Sequence, residues 1–308
     1  MSLPDMPLGP TDLLVRPLGV GTMRWGEEPD ESAEPTDPAA TFEAAIAAGV
    51  SVFDTAEGYL RGDSERELGR VRATSAAPAF VATKFAPLRL TSAALPRALD
   101  ASLRRLQLES VDLYQIHFPF GILRIRSLMN RLADAVEAGR VRNVGVCNYS
   151  AAQMRTAHAA LAARGVPLVS NQVHYNLLHR DPERNGVLDA CRELNVTLIA
   201  YLPLASGMLT GKYRGGDTPS RHWIRRRTAP FPAPERMEPL LQALDEVGKA
   251  HERTAAQVAL NWLARQDNVL PIPGARHARQ ARENAGAIDF AMSDAEAARL
   301  SALSDGLS

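Results

Sequence analysis

The stretch "DPAATFEAAIAAGVSVFDTAEGY", Asp37 to Tyr59, carries the unit from which the fold is read. It opens as a helix: Asp37 offers an N-cap carboxylate, Pro38 suits a first turn that needs no backbone donor, and Gly49 supplies the stop. The chain then changes period. "SVFDTA" (Ser51–Ala56) is a short apolar run, as expected of a strand covered on both faces. That strand ends on a carboxylate, Asp54, and Tyr59 follows just beyond Gly58.

The same alternation extends in both directions. Further strands are expected at "VRPLGVGT" (Val15–Thr22), "FVATKF" (Phe80–Phe85), "VDLYQIHF" (Val111–Phe118) and "VRNVGVCN" (Val141–Asn148). The series continues with "PLVSNQV" (Pro167–Val173), "TLIAYLPL" (Thr197–Leu204) and "VLPIPG" (Val269–Gly274). Between them lie helical patterns: Leu95, Leu99, Leu103 and Leu106 recur at helical spacing, and another helix runs from Ser150 towards Gly165. Strand and helix alternating eight times predict a (β/α)8 TIM barrel occupying residues 1–308 as a single domain. Two additions to a minimal barrel are visible: a long loop after the seventh strand, Gly211–Met237, and a C-terminal helix with Ser293 and Glu296 at capping-box positions.

Bulk composition narrows the function. The 308 residues are 45% hydrophobic and 23% charged, with 35 basic and 35 acidic side chains, so no nucleic-acid or membrane partner is expected. Lysine occurs only at Lys84, Lys212 and Lys249, which singles out any lysine lying on a motif. Cys147 and Cys191 have neither metal nor disulfide spacing, and no apolar run is long enough to span a membrane. The start "MSLPDMPLGPTDLLV" is acidic and broken by proline, unlike a signal peptide, so a cytoplasmic protein is expected.

In a barrel of this kind, chemistry gathers at the C-terminal ends of the strands. Asp54 closes the second strand with Tyr59 beyond it, Lys84 closes the third, and His117 closes the fourth. A free tyrosine, with a pKa of about 10, exchanges protons poorly near neutrality, and a nearby buried ammonium favours its phenolate. The lysine needs a carboxylate in turn, and Asp54 is placed to supply it. A histidine then orients a substrate oxygen against the phenol. Such a set fits proton transfer to a carbonyl oxygen while another group delivers hydride.

These residues resemble the aldo-keto reductase superfamily, in its bacterial and plant-type branch, over nearly the whole chain. The likeness rests on "LGVGTMRWG", "FDTAEGYLRGDSERELG", "VATKF", "LYQIHFP", "GRVRNVGVCNYS", "SNQVHYNLL", "AYLPLASGMLTGKY" and "PIPGARHARQARENAGA" in that order. It implies a TIM barrel binding extended NADPH across the rim and reducing a small-molecule aldehyde or ketone. It also implies a catalytic tetrad: Tyr59 as proton donor, Lys84 lowering its pKa, Asp54 pairing the lysine and His117 orienting the carbonyl. Implied nicotinamide contacts are Asn148, Gln172 and the stacking ring of Tyr201, beside Gly21, Thr22 and Met23. Leu202, Leu204, Ser206 and Gly207 correspond to the loop over the pyrophosphate. Gly274, Arg276, Gln280, Glu283 and Asn284 resemble the adenosine-binding stretch, with Arg276 the forked donor for a 2′-phosphate.

Two positions depart from the family pattern: Cys147 precedes Asn148 where serine is usual, and Leu202 stands where serine is common. A thiol is the weaker hydrogen-bonding group. "GVGTMRWG" lacks the G-x-G-x-x-G spacing, so a Rossmann site is not expected, and no cluster has metal spacing. Two other readings share the fold: an NADPH-binding regulatory or channel-associated subunit, and another barrel enzyme such as an isomerase. Trp25, Phe85, Phe118, Phe120 and Trp223 are candidates for an apolar substrate pocket. Oligomeric state and substrate identity are not written in the sequence.

Overall fold

The computed structural model describes residues 2–27, 35–86, 91–119, 124–214 and 232–307. Phe120, Trp223 and most of the Gly211–Met237 stretch lie outside the described residues. The chain begins with a hairpin, β1 (Met6–Pro7) and β2 (Leu14–Val15), followed by β3 (Gly19–Gly21), α1 (Pro38–Ala47), β4 (Val52–Asp54) and α2 (Asp63–Ala73). It continues through β5 (Phe80–Phe85), α3 (Leu95–Leu106), β6 (Val111–Ile116), α4 (Ile125–Glu137), β7 (Val141–Cys147) and α5 (Ala151–Ala162). Then come β8 (Leu168–His174), α6 (Asp181–Arg184), α7 (Val187–Glu193), β9 (Thr197–Tyr201) and α8 (Pro234–His251). The last elements are α9 (Ala255–Ala264), β10 (Val269–Pro271), α10 (Ala278–Ala285) and α11 (Asp294–Asp305).

β3 to β10 pair in chain order, each parallel to the next, as an 8-stranded sheet. A parallel bridge between Gly21 and Gly274 joins its two edges, with Gly21 N–H donating to the Pro273 carbonyl at 2.9 Å. The approach is close here: a Cβ on Gly21 would stand 3.1 Å from the Ile272 oxygen, so a side chain would need the seam to give by a few tenths of an ångström. The result is a TIM barrel ringed by helices.

Local sequence accounts for the helices. Asp37 caps α1 by accepting from Ala40 N–H, while Ser150 and Ser293 form full capping boxes with Gln153 and Glu296. Leu95, Leu99, Leu103 and Leu106 all turn inward on α3 and are buried, as their spacing requires. Outside the strands, Phe42 of α1 stacks on Phe53 of β4 at 4.6 Å.

The first expected strand, Val15–Thr22, divides in two. Pro17 cannot donate to a ladder, and Leu18 N–H closes a tight turn onto the Arg16 carbonyl at 2.7 Å. Val15 therefore ends the hairpin, and the barrel strand begins only at Gly19. The hairpin has its own task. Leu8 and Val15 pack into the barrel interior with Val52, Phe80 and Leu113, and Gly9 N–H donates to Thr197 Oγ1 at 2.7 Å. These partners start their strands or lie near the start, so the hairpin plugs the mouth opposite the rim formed by the C-terminal strand ends. Full burial of one such leucine contributes about 1.5–3 kcal/mol. Among the described residues, no helix is long and apolar enough to cross a membrane.

Candidate active site

The register of the sheet sets Asp54 beside Ala82 and Lys84 beside Gln115, so the ends of β4, β5 and β6 deliver their side chains to one rim. Lys84 is fully buried, and its ammonium has an acceptor for each of its three donors. Lys84 Nζ lies 2.5 Å from Asp54 Oδ2, 2.7 Å from the Thr55 carbonyl and 3.1 Å from the Tyr59 hydroxyl. The second carboxylate oxygen of Asp54 accepts from Gln172 Nε2 at 2.8 Å and from Gln115 Nε2 at 3.4 Å. Ser170 holds Gln115 by donating to its Oε1 at 3.2 Å. His117 follows β6 and meets Tyr59 edge to face, their ring centroids 5.7 Å apart.

Tyr59 is held by an unusual turn. Leu60 (φ 48°), Arg61 (φ 54°) and Gly62 (φ 95°) are left-handed in succession before α2 begins. Non-glycine residues there cost roughly 1–2 kcal/mol each, so the surrounding structure must hold them in place. Glu57 helps by accepting the Ala86 N–H at 2.8 Å, which ties the Tyr59 loop to the end of β5. Behind Lys84, the buried carboxylate of Glu65 accepts from Thr83 and from Arg105 Nε, both at 2.6 Å. That pair fastens α2 and α3 to the strand carrying the lysine.

Burial and the Lys84 charge pull the Tyr59 phenol in opposite directions. Burial is the largest influence on Tyr59 and lifts its phenol above the usual tyrosine range, although the Lys84 charge pulls it down. Desolvation therefore exceeds the ammonium's effect, and Tyr59 is a protonated phenol at neutral pH. Burial also works against the charge on Lys84, but Asp54 and its other neighbours more than offset this and hold the lysine above its ordinary value. His117 is pushed down to about 3, first by burial and then by Lys84, so its imidazole is neutral.

The other expected residues spread around the same rim. Asn148, left-handed at φ 62°, follows β7, donates to the His117 carbonyl at 3.1 Å and accepts from the Tyr201 hydroxyl at 3.1 Å. Gln172 lies on β8, and Tyr201 ends β9. The Leu202 carbonyl accepts from Asn176 at 2.8 Å. Beyond Leu204, the chain makes a left-handed run through Ala205, Ser206 and Gly207. Met23 and Gly21 sit half-buried at the end of β3, but the Thr22 hydroxyl turns inward to the Asp54 carbonyl and Ser64, both at 3.0 Å. After β10, Gly274 is exposed, Gln280 Oε1 accepts Arg276 N–H at 2.8 Å, and Asn284 donates to the Gly274 carbonyl at 3.4 Å. Glu283 accepts from Thr254 Oγ1 at 3.3 Å.

Of the residues expected to line an aromatic pocket, Trp25, Phe85 and Phe118 are among the described residues. Trp25 and Phe85 are fully buried in the core, Trp25 donating to the Ala275 carbonyl at 2.8 Å, because both face the helix layer. Among the described candidates, Phe118 is the one at the site, stacked on His117 at 4.5 Å. Conversely, the sequence motifs assign no role to Gln115, Ser170, Glu65 or Lys212. A polar residue inside an apolar strand is the signal for the first two. For Lys212, the signal is a lysine on the "GMLTGKY" stretch of a lysine-poor chain. A Cβ on Gly207 would stand 2.9 Å from Lys212 Nζ, so glycine there lets the ammonium lie against the turn. Among the described residues, no group of three or more His, Cys, Asp or Glu is placed to hold a metal ion.

Comparison with known proteins places this geometry. The Aldo/keto reductase family model matches residues 17–305. The chain is 37% identical to the chloroplastic pyridoxal reductase of Arabidopsis thaliana, over 95% of this chain and 84% of that protein. It is 32% identical to the aldo-keto reductase yakc [NADP(+)] of Schizosaccharomyces pombe, over 96% of this chain and 89% of the relative. The crystal structure of an aldo-keto reductase from Klebsiella pneumoniae in complex with NADPH superposes with a TM-score of 0.78 at 26% identity, covering 98% of this chain and 95% of that one. Sequence and barrel agree over almost the full length, and the chain belongs to the aldo/keto reductase family.

Proposed function

We propose that this protein, as one barrel domain over residues 1–308, reduces aldehydes or ketones to alcohols with NADPH. The observation that carries this reading is the Lys84 ammonium shared between Asp54 and the Tyr59 hydroxyl at the catalytic rim. Bound NADPH would supply the hydride.

The residues fit such a cofactor from end to end. Asn148 and Gln172 offer amide groups to the carboxamide, and Tyr201 offers a ring for the nicotinamide. The left-handed run Ala205–Gly207 is the kind of backbone turn that makes an anion-holding concavity, with the Lys212 ammonium lying against it. Gly274, Arg276, Gln280, Glu283 and Asn284, leading into and along α10, suit the adenosine end. The forked donors of Arg276 and the N-terminus of α10 favour a 2′-phosphate there.

The substrate carbonyl oxygen would sit between the Tyr59 hydroxyl and the neutral His117 imidazole, both acting as donors. As that oxygen gains negative charge, Tyr59 releases its proton to it. The phenolate left behind faces the Lys84 ammonium 3.1 Å away, which is where Lys84 contributes to the rate. Asp54, held by Gln172 and Gln115, keeps the lysine charged and aimed. The likeness to a pyridoxal reductase makes pyridoxal and other aromatic aldehydes the first substrates to try. The test is loss of NADPH absorbance on mixing with a panel of aldehydes: turnover is expected, whereas tight NADPH binding without turnover on any of them would favour a regulatory subunit.

A further inference from the structure

His174, the last residue of β8, stacks on two other rings. Its imidazole lies 5.4 Å from Tyr201 with 12° between the planes, and 4.0 Å from His179 with 15°. The first contact is written into the sheet, where His174 and Tyr201 are register partners on β8 and β9. The second depends on a tight return of the chain. Asn176 and His179 exchange backbone hydrogen bonds of 3.2 and 3.0 Å, which brings His179 back over His174.

Asn176 clips this arrangement to the neighbouring strand end. Its Nδ2 donates to the Leu202 carbonyl at 2.8 Å and lies 3.1 Å from His174 Nε2, while its Oδ1 accepts Leu178 N–H at 2.8 Å. The Leu202 and Leu178 bonds fix which way the amide points, so His174 Nε2 is the acceptor and the ring proton sits on Nδ1. Burial favours the same neutral ring. On its far side, Tyr201 donates to Asn148, which donates to the His117 carbonyl. Contacts therefore run without a break from half-buried His179 to the backbone of a residue that touches Tyr59.

We propose that His174, backed by His179, is a positioning residue for the cofactor: it covers one face of Tyr201 and holds that ring, with Asn148, where the nicotinamide must lie. This rests on the reading of Tyr201 as the nicotinamide platform. A tyrosine without a back wall would have to be ordered by the cofactor itself, at a cost in affinity. Stacked ring pairs contribute enough for the loss to be about three- to tenfold.

The test compares His174→Ala, His174→Phe and the natural chain by NADPH fluorescence titration, steady-state kinetics, melting temperature and cofactor-free crystal structures. His174→Ala is expected to weaken NADPH binding about three- to tenfold and lower kcat, with KM for the carbonyl unchanged. Its Tyr201 ring should be displaced. His174→Phe restores the stack but cannot accept from Asn176, so affinity and Tyr201 position should recover while the melting temperature stays low. Natural affinity and an unmoved Tyr201 in His174→Ala, or a His174→Phe protein as weak as His174→Ala, would overturn the proposal. If the natural chain bound no NADPH, the platform reading would fail, and the cofactor-free structures would still decide whether His174 holds the ring.

Discussion

Lys84 Nζ stands 3.1 Å from the Tyr59 hydroxyl, although the two residues lie on different strand–loop units and the lysine has no exposed surface. The same ammonium is bound more closely to Asp54, at 2.5 Å. A buried charge pair is costly to break from one side only. Asp54→Asn should therefore destabilise the protein by about 3–5 kcal/mol. Adding Lys84→Met should recover part of that loss, because the uncompensated charge is gone. Denaturant unfolding of both single variants and the double variant checks this, and additive losses would show that the pair is not coupled.

The histidines set the acid side of the stability profile. His117 and His174 are each pushed down to about 3 in the folded protein, chiefly by burial, against about 6.5 when unfolded. A lowered value means that stability is fully present above about pH 6.5 and is lost as pH falls towards 3. Each histidine should remove on the order of 1 kcal/mol per pH unit across that window. Melting temperature should thus drop below pH 6.5, while kcat shows no inflection there, because His117 is already neutral. A kcat step near pH 6.5 with unchanged melting temperature would contradict the buried, neutral His117.

Both thiols should be inert in the native protein. Cys147 and Cys191 are buried, and burial raises both, Cys191 to about 12. A thiol-reactive chromophore at pH 8 is expected to label neither until denaturant is added. Rapid labelling of Cys147 would mean that the floor of the site opens to solvent.

Cofactor choice is expected to depend on Arg276. Arg276→Ala should weaken NADPH binding by about 1.5–3 kcal/mol, the range for a hydrogen bond to a charged group, and leave NADH binding nearly unchanged. Titration with both cofactors measures the ratio. An unchanged preference would remove Arg276 from the 2′-phosphate site.

The barrel is legible because parallel strands covered on both faces are nearly uniform in composition, and β5 coincides with its expected Phe80–Phe85 span. Asp54, Lys84 and His117 are legible because strand ends are where ionisable residues interrupt those runs. Pro17 shows the limit of this reading: an apolar run cannot reveal that one residue without an N–H divides it between a hairpin and a barrel strand. Trp25 and Phe85 show another, since an aromatic near the rim can face the helix layer as readily as a substrate. The direction of the Tyr59 shift was hidden too, because it depends on a contest between burial and the Lys84 charge that only three-dimensional packing decides. The His174 stack needs the β8–β9 register and the return at Asn176, neither of which has a local sequence signature.

The most direct measurement is aldehyde-dependent NADPH oxidation by Tyr59→Phe, alongside its NADPH dissociation constant. Removing one hydroxyl from a turn fixed by Glu57 and Gly62 should leave cofactor binding within about twofold, and carbonyl reduction should fall by at least about 100-fold. Near-normal turnover in Tyr59→Phe would contradict the assignment of the proton to Tyr59.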